Sequence, residues 1–354
     1  MSVALDMTFA NRNRGGSGVY ARSLLAALRE RDDVIAWEVS GPARSGLAGT
    51  FRWLVGGARV ALRERAPDVV HCPTFVTPWR LPAPVVVTVH DAGVLRFPKD
   101  HPLEWRVYDR AFLTRRLRSA ARVIAVSEFA RREVAEGYRL DLDRVVAIEN
   151  GVDSRFLDAP EAKQAAGALE ARILFPGAPL GHKNIEAVLR AMAAADPQGA
   201  LRRAGLDISG ASEADFPSPA ALVRDLGLGG RVRWLGRVPD EEMPALFQAA
   251  ALVVYPTLYE GFGLPPLEAM AVGTPVVASN RGPLPQLLAD AALLVDPSST
   301  SDLAQAMEAV LTRPELRERL ISAGRRRARL YSWNRCAERT VELYRAVAAE
   351  ASPA

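Results

Sequence analysis

The sequence has few cysteines, and they are not arranged as metal ligands or as a disulfide framework. Cys72 and Cys336 are the only two, they lie far apart, and no CxxC pair occurs. This pattern excludes a zinc knuckle and a cystine-stabilised fold, and it predicts a protein of the reducing cytoplasm. The four histidines show no paired spacing. The sequence therefore predicts no metal site.

Long apolar runs are also missing. No stretch approaches the roughly 20 apolar residues that a membrane-spanning helix needs. The opening "MSVALDMTFANRNRGG" has no basic head followed by an apolar run, so we expect no signal peptide. A composition of 49% apolar and 24% charged residues is typical of a globular protein, and 354 residues predict two domains.

Lysine is scarce: Lys99, Lys163 and Lys183 stand against forty-two arginines. This bias is typical of a GC-rich bacterial genome, so a lysine is less readily explained by chance than an arginine. Residues 96–139 carry eleven basic and six acidic side chains, a local net charge of +5. A solvated helical face would explain this charge. Attraction to a phosphate-bearing acceptor or to the inner face of a membrane would also explain it.

Short β-branched runs alternate with amphipathic helical patterns in two successive series. Continuous apolar runs such as "PVVVTVHD" and "ALVVYPT" are typical of strands buried on both faces of a parallel sheet. The polar, alanine-rich stretch 153–170 separates the two series and suits a linker. The sequence thus predicts an α/β protein of two Rossmann-like, doubly wound domains, 1–158 and 159–331, followed by an amphipathic helix at 332–354. Parallel sheets bind ligands at the carboxyl ends of their strands, so both domains would present loops to a cleft between them.

The loop "RGGSG", ending at Gly18, joins the first strand to the first helix. Glycines there let the backbone approach a ligand, and the helix N-terminus favours negative charge, although tight packing would need glycines as well. The loop is not a GxGxxG fingerprint followed by an acidic residue, which disfavours a nicotinamide-dependent enzyme.

Polar residues end several predicted strands of the first domain. His90, in "TVHD", could hydrogen-bond a sugar hydroxyl, or it could belong to an incidental strand cap. His71 also ends a strand, and there the structural explanation is favoured. The acidic triplet "DLD", 141–143, matches the one that holds manganese in another sugar-transferase fold, but it precedes a strand and is interpreted as a connection.

Two loops of the second domain carry charge. In "PGAPLGHKN", Lys183 lies just before a helix, where its ammonium could meet a diphosphate or simply be a surface group. In "YEGFGLPPLEAM", Pro265 and Pro266 suit the first turn of a helix, whose opening amides would point toward an anion. Glu260 and Glu268 flank this loop. Carboxylates near phosphates repel them unless they bind hydroxyls or meet cations, so the pair predicts a nucleotide sugar, with a solvated Glu268 as the alternative.

The E-x7-E spacing of Glu260 and Glu268 resembles that of the retaining glycosyltransferases of the GT-B fold, family 4. The resemblance covers nearly the whole chain, through "GGSGVYARSLLAAL", "VTVHDAGVLRFP", "VIAVSEFARREV", "IENGVD", "HKN", "YPTLYEGFGLPPLEAMAVGTPVVAS" and "YSWNRCAERTVELYRAV". The chain is most similar to the bacterial mannosyltransferase-like branch. The resemblance implies that the C-terminal helix crosses back to the first domain.

The resemblance also implies roles for individual residues. Glu268 would bind the nucleotide ribose, Glu260 the hydroxyls of the donor sugar, and Lys183 the diphosphate. His90 would contact the sugar near the reacting carbon, and Val238 lies in the loop that holds the base. The implied catalytic residues are His90, Lys183 and Glu260. The implied donor-binding residues are Gly16, Gly18, Lys183, Val238, Glu260, Gly261, Phe262, Gly263, Leu264 and Glu268.

Two positions depart from the family pattern. Ala178 stands where many members have an arginine that joins the lysine on the diphosphate, and His182 stands where an arginine often precedes that lysine. Stabilisation of the leaving group would therefore rest more on Lys183 and on the helix N-terminus.

The expected function is metal-independent, retaining transfer of a hexose, mannose-type or deoxyhexose, from a GDP-, UDP- or TDP-linked donor. The acceptor would be a hydroxyl of a glycan, of a lipid-linked molecule or of a natural product. We expect no cofactor, no nucleic-acid partner, and a monomer or homodimer. The alternatives are a GT-B nucleotide-sugar epimerase or phosphorylase, a nicotinamide-dependent dehydrogenase, and a non-catalytic sugar-binding subunit.

Overall fold

The computed structural model describes residues 1–13, 15–41, 46–63, 65–160 and 171–351. The chain divides into two compact units, one of Met1–Gly151 with Tyr331–Ala354 and one of Val152–Leu330. This division falls ahead of the predicted boundary at residue 158, because the short helix Ser154–Leu157 packs in the second unit. The greater part of the predicted linker, 161–170, lies outside the described residues.

The first unit contains a parallel six-stranded sheet in the order β2-β1-β3-β4-β5-β6. In this sheet, Val3 of β1 lies opposite Ala36 of β2 on one side and opposite Val69 of β3 on the other. The strands are β1 (Ser2–Asp6), β2 (Ile35–Val39), β3 (Val69–Cys72), β4 (Val85–Val89), β5 (Arg122–Ala125) and β6 (Val145–Ala147).

Helices follow β1, β2, β4 and β5 and make the crossovers that parallel pairing needs, whereas residues 73–84 join β3 to β4 without a helix. Two helical segments each contain one π-helical turn, at Trp53–Gly57 and Asp109–Leu113. The helices are α1 (Gly16–Arg29), α2 (Gly46–Arg52), α3 (Ala58–Ala61), α4 (Gly93–Arg96), α5 (Leu103–Tyr108), α6 (Thr114–Ser119) and α7 (Glu128–Tyr138).

The second unit repeats the architecture with sheet order β12-β11-β10-β7-β8-β9, again parallel. Strands β7 and β10 are neighbours at the centre, with Leu252 opposite Ile173. The strands are β7 (Arg172–Phe175), β8 (Gly205–Ser209), β9 (Val232–Gly236), β10 (Leu252–Tyr255), β11 (Val276–Ser279) and β12 (Leu293–Val295).

The helices of the second unit pack on a large apolar core that includes Phe175, Val188, Leu206 and Val254. They are α8 (Ser154–Leu157), α9 (Ile185–Ala193), α10 (Ala200–Arg203), α11 (Pro217–Asp225), α12 (Met243–Ala249), α13 (Leu264–Val272), α14 (Leu284–Leu288), α15 (Thr300–Thr312) and α16 (Pro314–Ala328).

The last helix, α17 (Trp333–Ala351), belongs to the first unit and packs on α1 and β3. The predicted return of the C-terminal helix to the first domain is therefore confirmed. Its apolar face buries Val341, Tyr344 and Val347.

The sequence did not predict β2 and β12, which are both edge strands. Strand β2 is only partly buried, and β12 has three residues, so neither shows the continuous apolar run that marks the central strands. The sequence patterns also did not predict α11, α16 or the short helices α2, α3, α8 and α10.

Candidate functional site

Sheet order places the two charged loops of the second unit side by side. Strands β7 and β10 pair in parallel, so the segments that follow them leave the same edge of the sheet next to each other. The segment after β7 ends in a 3-10 turn, Gly181–Lys183, before α9. The segment after β10 runs through Glu260 to the start of α13.

Lys183 and Glu260 form an ion pair in this structure. Lys183 Nζ also donates to Tyr255 Oη at 2.9 Å, and Tyr255 Oη donates to Glu260 Oε1 at 2.7 Å. Thr257 Oγ1 lies 3.3 Å from the same carboxylate oxygen. The side chains of Lys183 and Glu260 are 19% and 15% exposed, so the pair is largely desolvated but still reachable by a ligand. Burial, followed by the negative charge of Glu260, raises the pKa of Tyr255 well above its usual value, so its hydroxyl stays protonated.

Backbone contacts hold the two loops together. Leu258 N donates to the carbonyl of His182 at 2.7 Å. Asn184, in the left-handed region with φ of 59°, donates from Nδ2 to Pro256 O at 3.2 Å and to Pro297 O at 2.8 Å. The position of Lys183 relative to Glu260 is thus set by the backbone as well as by their own contact.

The start of α13 has the geometry that the sequence predicts. Gly263 is its N-cap with φ of 120°, and Pro265 and Pro266 lie in the first turn. A Cβ at Gly263 would lie 2.6 Å from Leu284 Cδ2, so both the dihedral angle and the packing require glycine. The prolines have no N–H, and the amides of Gly263 and Leu264 precede the first intrahelical hydrogen bond. They can bind an anion at the positive end of the helix dipole.

Glu268 lies one turn into α13, partly exposed, near a charged cluster on the segment that includes α8. Burial raises the pKa of Glu268 to about 7 against the opposing influence of Arg155, while Asp153 and Asp240 add to the rise. Arg155 is itself bound to Asp153 Oδ2 at 2.8 Å. Glu268 is therefore not a fully solvated carboxylate, and it is close to half-protonated at neutral pH.

Of the predicted residues of the second unit not yet placed, Gly261 and Phe262 are buried in the loop before α13, whereas Val238 follows the edge strand β9 and is partly exposed. Ala178 lies in the segment after β7, with its amide against the backbone of Gly210, which has φ of 84°. Val238 and Ala178 lie in segments that leave the same edge of the sheet as the segment with Lys183.

Gly16 and Gly18, the two predicted glycines of the first unit, differ in whether packing leaves room for a side chain. A Cβ at Gly18 would lie 1.7 Å from the carbonyl oxygen of Asn13, so packing alone requires glycine there. A Cβ at Gly16 would meet nothing within 4 Å. Packing therefore explains Gly18 and leaves Gly16 unexplained within this unit.

His90 follows β4 and is fixed by two contacts. Its Nε2 lies 3.2 Å from Pro73 O, and its ring meets Tyr20 edge-on with centroids 4.9 Å apart. A carbonyl can only accept, so Nε2 carries the proton and Nδ1 is the acceptor. Burial lowers the pKa of His90 below its usual value, with the Pro73 contact opposing this.

His71 has the structural role that the sequence favours. It is fully buried, with Nδ1 2.6 Å from Tyr344 Oη and Nε2 2.8 Å from Thr88 Oγ1, and Thr88 is 3.0 Å from Tyr20 Oη. Burial lowers the pKa of His71 to about 3, so it is neutral. This network joins α17, β3, β4 and α1, and it supports the Tyr20 ring that packs on His90.

Comparison with known proteins identifies the family. Residues 14–156 match Glycosyltransferase Family 4 and residues 160–327 match Glycosyl transferases group 1. The chain is 33% identical over 291 residues to the Escherichia coli O-antigen chain mannosyltransferase B, covering 80% of this chain and 76% of that protein. The chain belongs to the family 4 glycosyltransferases.

A second relative of this glycosyltransferase is the MMP alpha-(1->4)-mannosyltransferase of Mycolicibacterium hassiacum. The identity is 29% over 276 residues, covering 74% of this chain and 65% of that protein. The similarity to mannosyltransferases thus extends to two different named activities.

Solved structures confirm the GT-B fold. Sucrose-phosphate synthase of Thermosynechococcus elongatus aligns with a TM-score of 0.81 at 24% identity, covering 99% of this chain and 100% of that one. Anabaena HepE, solved with UDP and glucose, aligns with a TM-score of 0.74 at 18% identity, covering 98% and 100%. The ligand cleft that the sequence predicts between the domains stays a prediction.

Several contacts of this glycosyltransferase's site were not predicted from the sequence. Tyr255 and Thr257 contact the Lys183–Glu260 pair, Arg155 acts electrostatically on Glu268, and Asn184 holds the segment after β7 against Pro256 and Pro297. Tyr255 carried a usable signal, since it is a hydroxyl-bearing residue at the end of an otherwise aliphatic strand. Arg155 carried none, because its approach to Glu268 depends on how α8 packs on α13.

Within the described ranges, no cluster of three His, Cys, Asp or Glu side chains could hold a metal ion. Over the same ranges, every helix falls short of the length and apolarity that crossing a bilayer requires.

Proposed function

We propose that this glycosyltransferase moves a mannose-type hexose from a nucleoside diphosphate sugar to a hydroxyl of a glycan, with retention of configuration and without a metal ion. The named mannosyltransferase relatives support the sugar, since two with different activities share it. GDP is the favoured nucleotide, and UDP and TDP are the alternatives to be tested.

The Lys183–Glu260 pair beside the opening amides of α13 carries this proposal. The sequence assigns these side chains to separate parts of the donor, yet here they bind each other. A diphosphate seated on the amides of Gly263 and Leu264 would bring its own negative charge to Lys183 and draw the ammonium from Glu260. Tyr255 Oη would keep its bond to the carboxylate, which then has lone pairs to accept from sugar hydroxyls.

Charge develops on the diphosphate as the bond to the sugar breaks. Lys183 and the positive end of the α13 dipole supply compensating charge in a partly desolvated site, where such stabilisation is strongest. The small side chain of Ala178 adds no charge, so Lys183 is the cation that the described segment after β7 provides. Among the residues that the structure describes, no carboxylate is placed as an obvious nucleophile, so retention implies attack by the acceptor on the same face that the diphosphate leaves.

His90 would assist through its Nδ1 acceptor. Because Nε2 donates to Pro73 O and burial keeps the ring neutral, His90 can receive a hydrogen bond from a hydroxyl of the donor sugar near the reacting carbon. Gly16 would assist in another way, because the space around it lets the backbone approach the donor.

The test is transfer in the presence of a chelator. Purified protein is screened by thermal shift against GDP-, UDP- and TDP-sugars, since a donor that binds the folded state stabilises it. It is then incubated with the stabilising donor, a mannose oligosaccharide panel and EDTA, and the product linkage is assigned by NMR. An α-linked product from an α-linked donor supports the proposal. Conversion of the donor to an epimer without acceptor, loss of transfer in EDTA, or an inverted product would contradict it.

A further inference from the structure

Seven aromatic side chains of the first unit form one continuous row. The rings of Phe9 and Phe75 meet that of Trp105 with centroids 5.7 and 5.4 Å away, and Trp105 is 6.4 Å from Tyr108. The row continues to Phe112 at 6.2 Å, and from there to Trp79 at 6.0 Å and Phe51 at 6.2 Å. We call these seven residues the aromatic row.

The aromatic row lies at the ligand-binding edge of the first sheet. Phe9 follows β1, and Phe75 and Trp79 follow β3, so they lie at the carboxyl edge of a parallel sheet, as does His90 after β4. The proton on His90 Nε2 is donated to Pro73, two residues before Phe75. The row therefore begins next to the side chain that is proposed to contact the donor sugar.

Core packing does not explain the far end of the aromatic row. Phe51, Trp79 and Phe112 are 61%, 40% and 42% exposed, although large apolar side chains are usually buried. Hydrogen bonds fix the backbone at Trp79 and the hydroxyl of Tyr108 within the row. Trp79 N donates to Leu54 O at 2.8 Å, and the amide of Thr77 donates to Tyr108 Oη at 3.2 Å. Exposed aromatic side chains that adjoin one another in this way are typical of a binding surface.

The chemistry of the aromatic row fits sugar rings. The faces of aromatic rings carry partial negative charge, and the C–H faces of pyranoses carry partial positive charge. Arg116 lies over Trp79, 5.9 Å from the ring centroid, and donates to Trp79 O at 2.9 Å, so a polar donor borders the ring surface. A surface with apolar faces and a polar rim is typical of small-molecule sites that also need orientation.

We propose that the aromatic row binds the acceptor as an oligosaccharide, with successive sugar rings stacked on Trp79, Phe112 and the rings that lead to His90. This inference rests on the proposed function, because it names the residues that would hold the acceptor of that same reaction. The row holds a linear glycan so that its terminal residue reaches the His90 end.

The test uses Trp79→Ala and Phe112→Ala, with Leu103→Ala as the matched control. Leu103 is 67% exposed, lies on the helical segment that also carries Phe112, and is not part of the row. We expect an acceptor KM about tenfold higher for both row variants with an α-linked mannotetraose probe, with kcat for donor hydrolysis and the Tm unchanged. Trp79→Phe keeps a ring and should recover most of the affinity.

The controls separate the two proposals. If the wild type neither binds nor hydrolyses any nucleotide sugar, the proposed function fails, while binding of mannotetraose to the row is still measured by tryptophan fluorescence. If the wild type turns over donor but Trp79→Ala and Leu103→Ala bind mannotetraose equally, the row proposal alone is overturned. If Trp79→Ala and Phe112→Ala no longer sediment with vesicles rich in phosphatidylglycerol, as the wild type does, but bind mannotetraose as the wild type does, the row binds a lipid surface and the proposal is overturned.

Discussion

The two units share one architecture, yet the carboxyl edges of their sheets carry different chemistry. The second edge presents a lysine, a glutamate and helix amides that a charged ligand can reach. At the first edge, Asp6 is buried between Trp53 Nε1 and Thr8 N, and burial raises its pKa. His90 at this edge is neutral and partly exposed, aromatic rings lie near it, and Arg12 and Asn13 are exposed in the loop after β1. The shared fold thus sets where the loops lie, and the loop sequences set which chemical groups they present.

The largest expected effect comes from removing Lys183, the cation that the described segment after β7 offers to a diphosphate. We expect Lys183→Ala to lower kcat about 10²- to 10³-fold, because the developing charge loses its cation and Glu260 is left facing it. Lys99→Ala, an exposed lysine of the first unit, is the control and should leave kcat unchanged. Steady-state kinetics measure both, and a Lys183→Ala enzyme with the wild-type kcat would refute the electrostatic role.

Glycine substitutions compare the backbones of the two edges. Gly263→Ala should reduce the free energy of unfolding by about 1–3 kcal/mol, because alanine is strained at φ of 120° and its Cβ collides with Leu284. Gly16→Ala should leave stability unchanged and weaken donor binding. Urea unfolding and donor titration measure these effects. Equal destabilisation by both substitutions would show that Gly16 is also required by packing.

The smallest expected effect concerns pH. With a pKa of about 7, Glu268 becomes a carboxylate as pH rises, and the carboxylate accepts hydrogen bonds from ribose hydroxyls. Donor affinity should therefore rise by up to about tenfold between about pH 6 and pH 8. Glu268→Gln should flatten this dependence. Isothermal titration at several pH values provides the test, and a wild-type affinity that is flat or falls over this range would contradict the assignment.

The same pKa predicts a stability change of opposite sign. The folded state holds a proton on Glu268 that the unfolded chain has released above its ordinary pKa of 4.5. The contribution of Glu268 to stability is therefore full below pH 4.5 and is lost as pH rises through about 7. In the absence of donor, Glu268→Gln should raise the Tm at pH 8 by roughly 2–4 °C, and the gain should shrink toward pH 5.

Much of the second unit was predictable because its signals are local. A strand, a glycine with positive φ and two prolines in a first helical turn are all encoded within the few residues before α13. The first unit was harder. The aromatic row joins separate segments between residues 9 and 112, and no spacing in the sequence predicts that their rings are in contact.

By itself, the sequence determined the α/β class, the central strands and the position of the two charged loops, because hydrophobic period and turn chemistry act over short distances. The family followed from the resemblance of whole motifs. Only the tertiary structure decided that Lys183 pairs with Glu260, that Arg155 approaches Glu268, and that seven aromatic rings line one edge. Those contacts join residues far apart in the chain. They depend on strand order and helix packing, which a linear pattern does not specify.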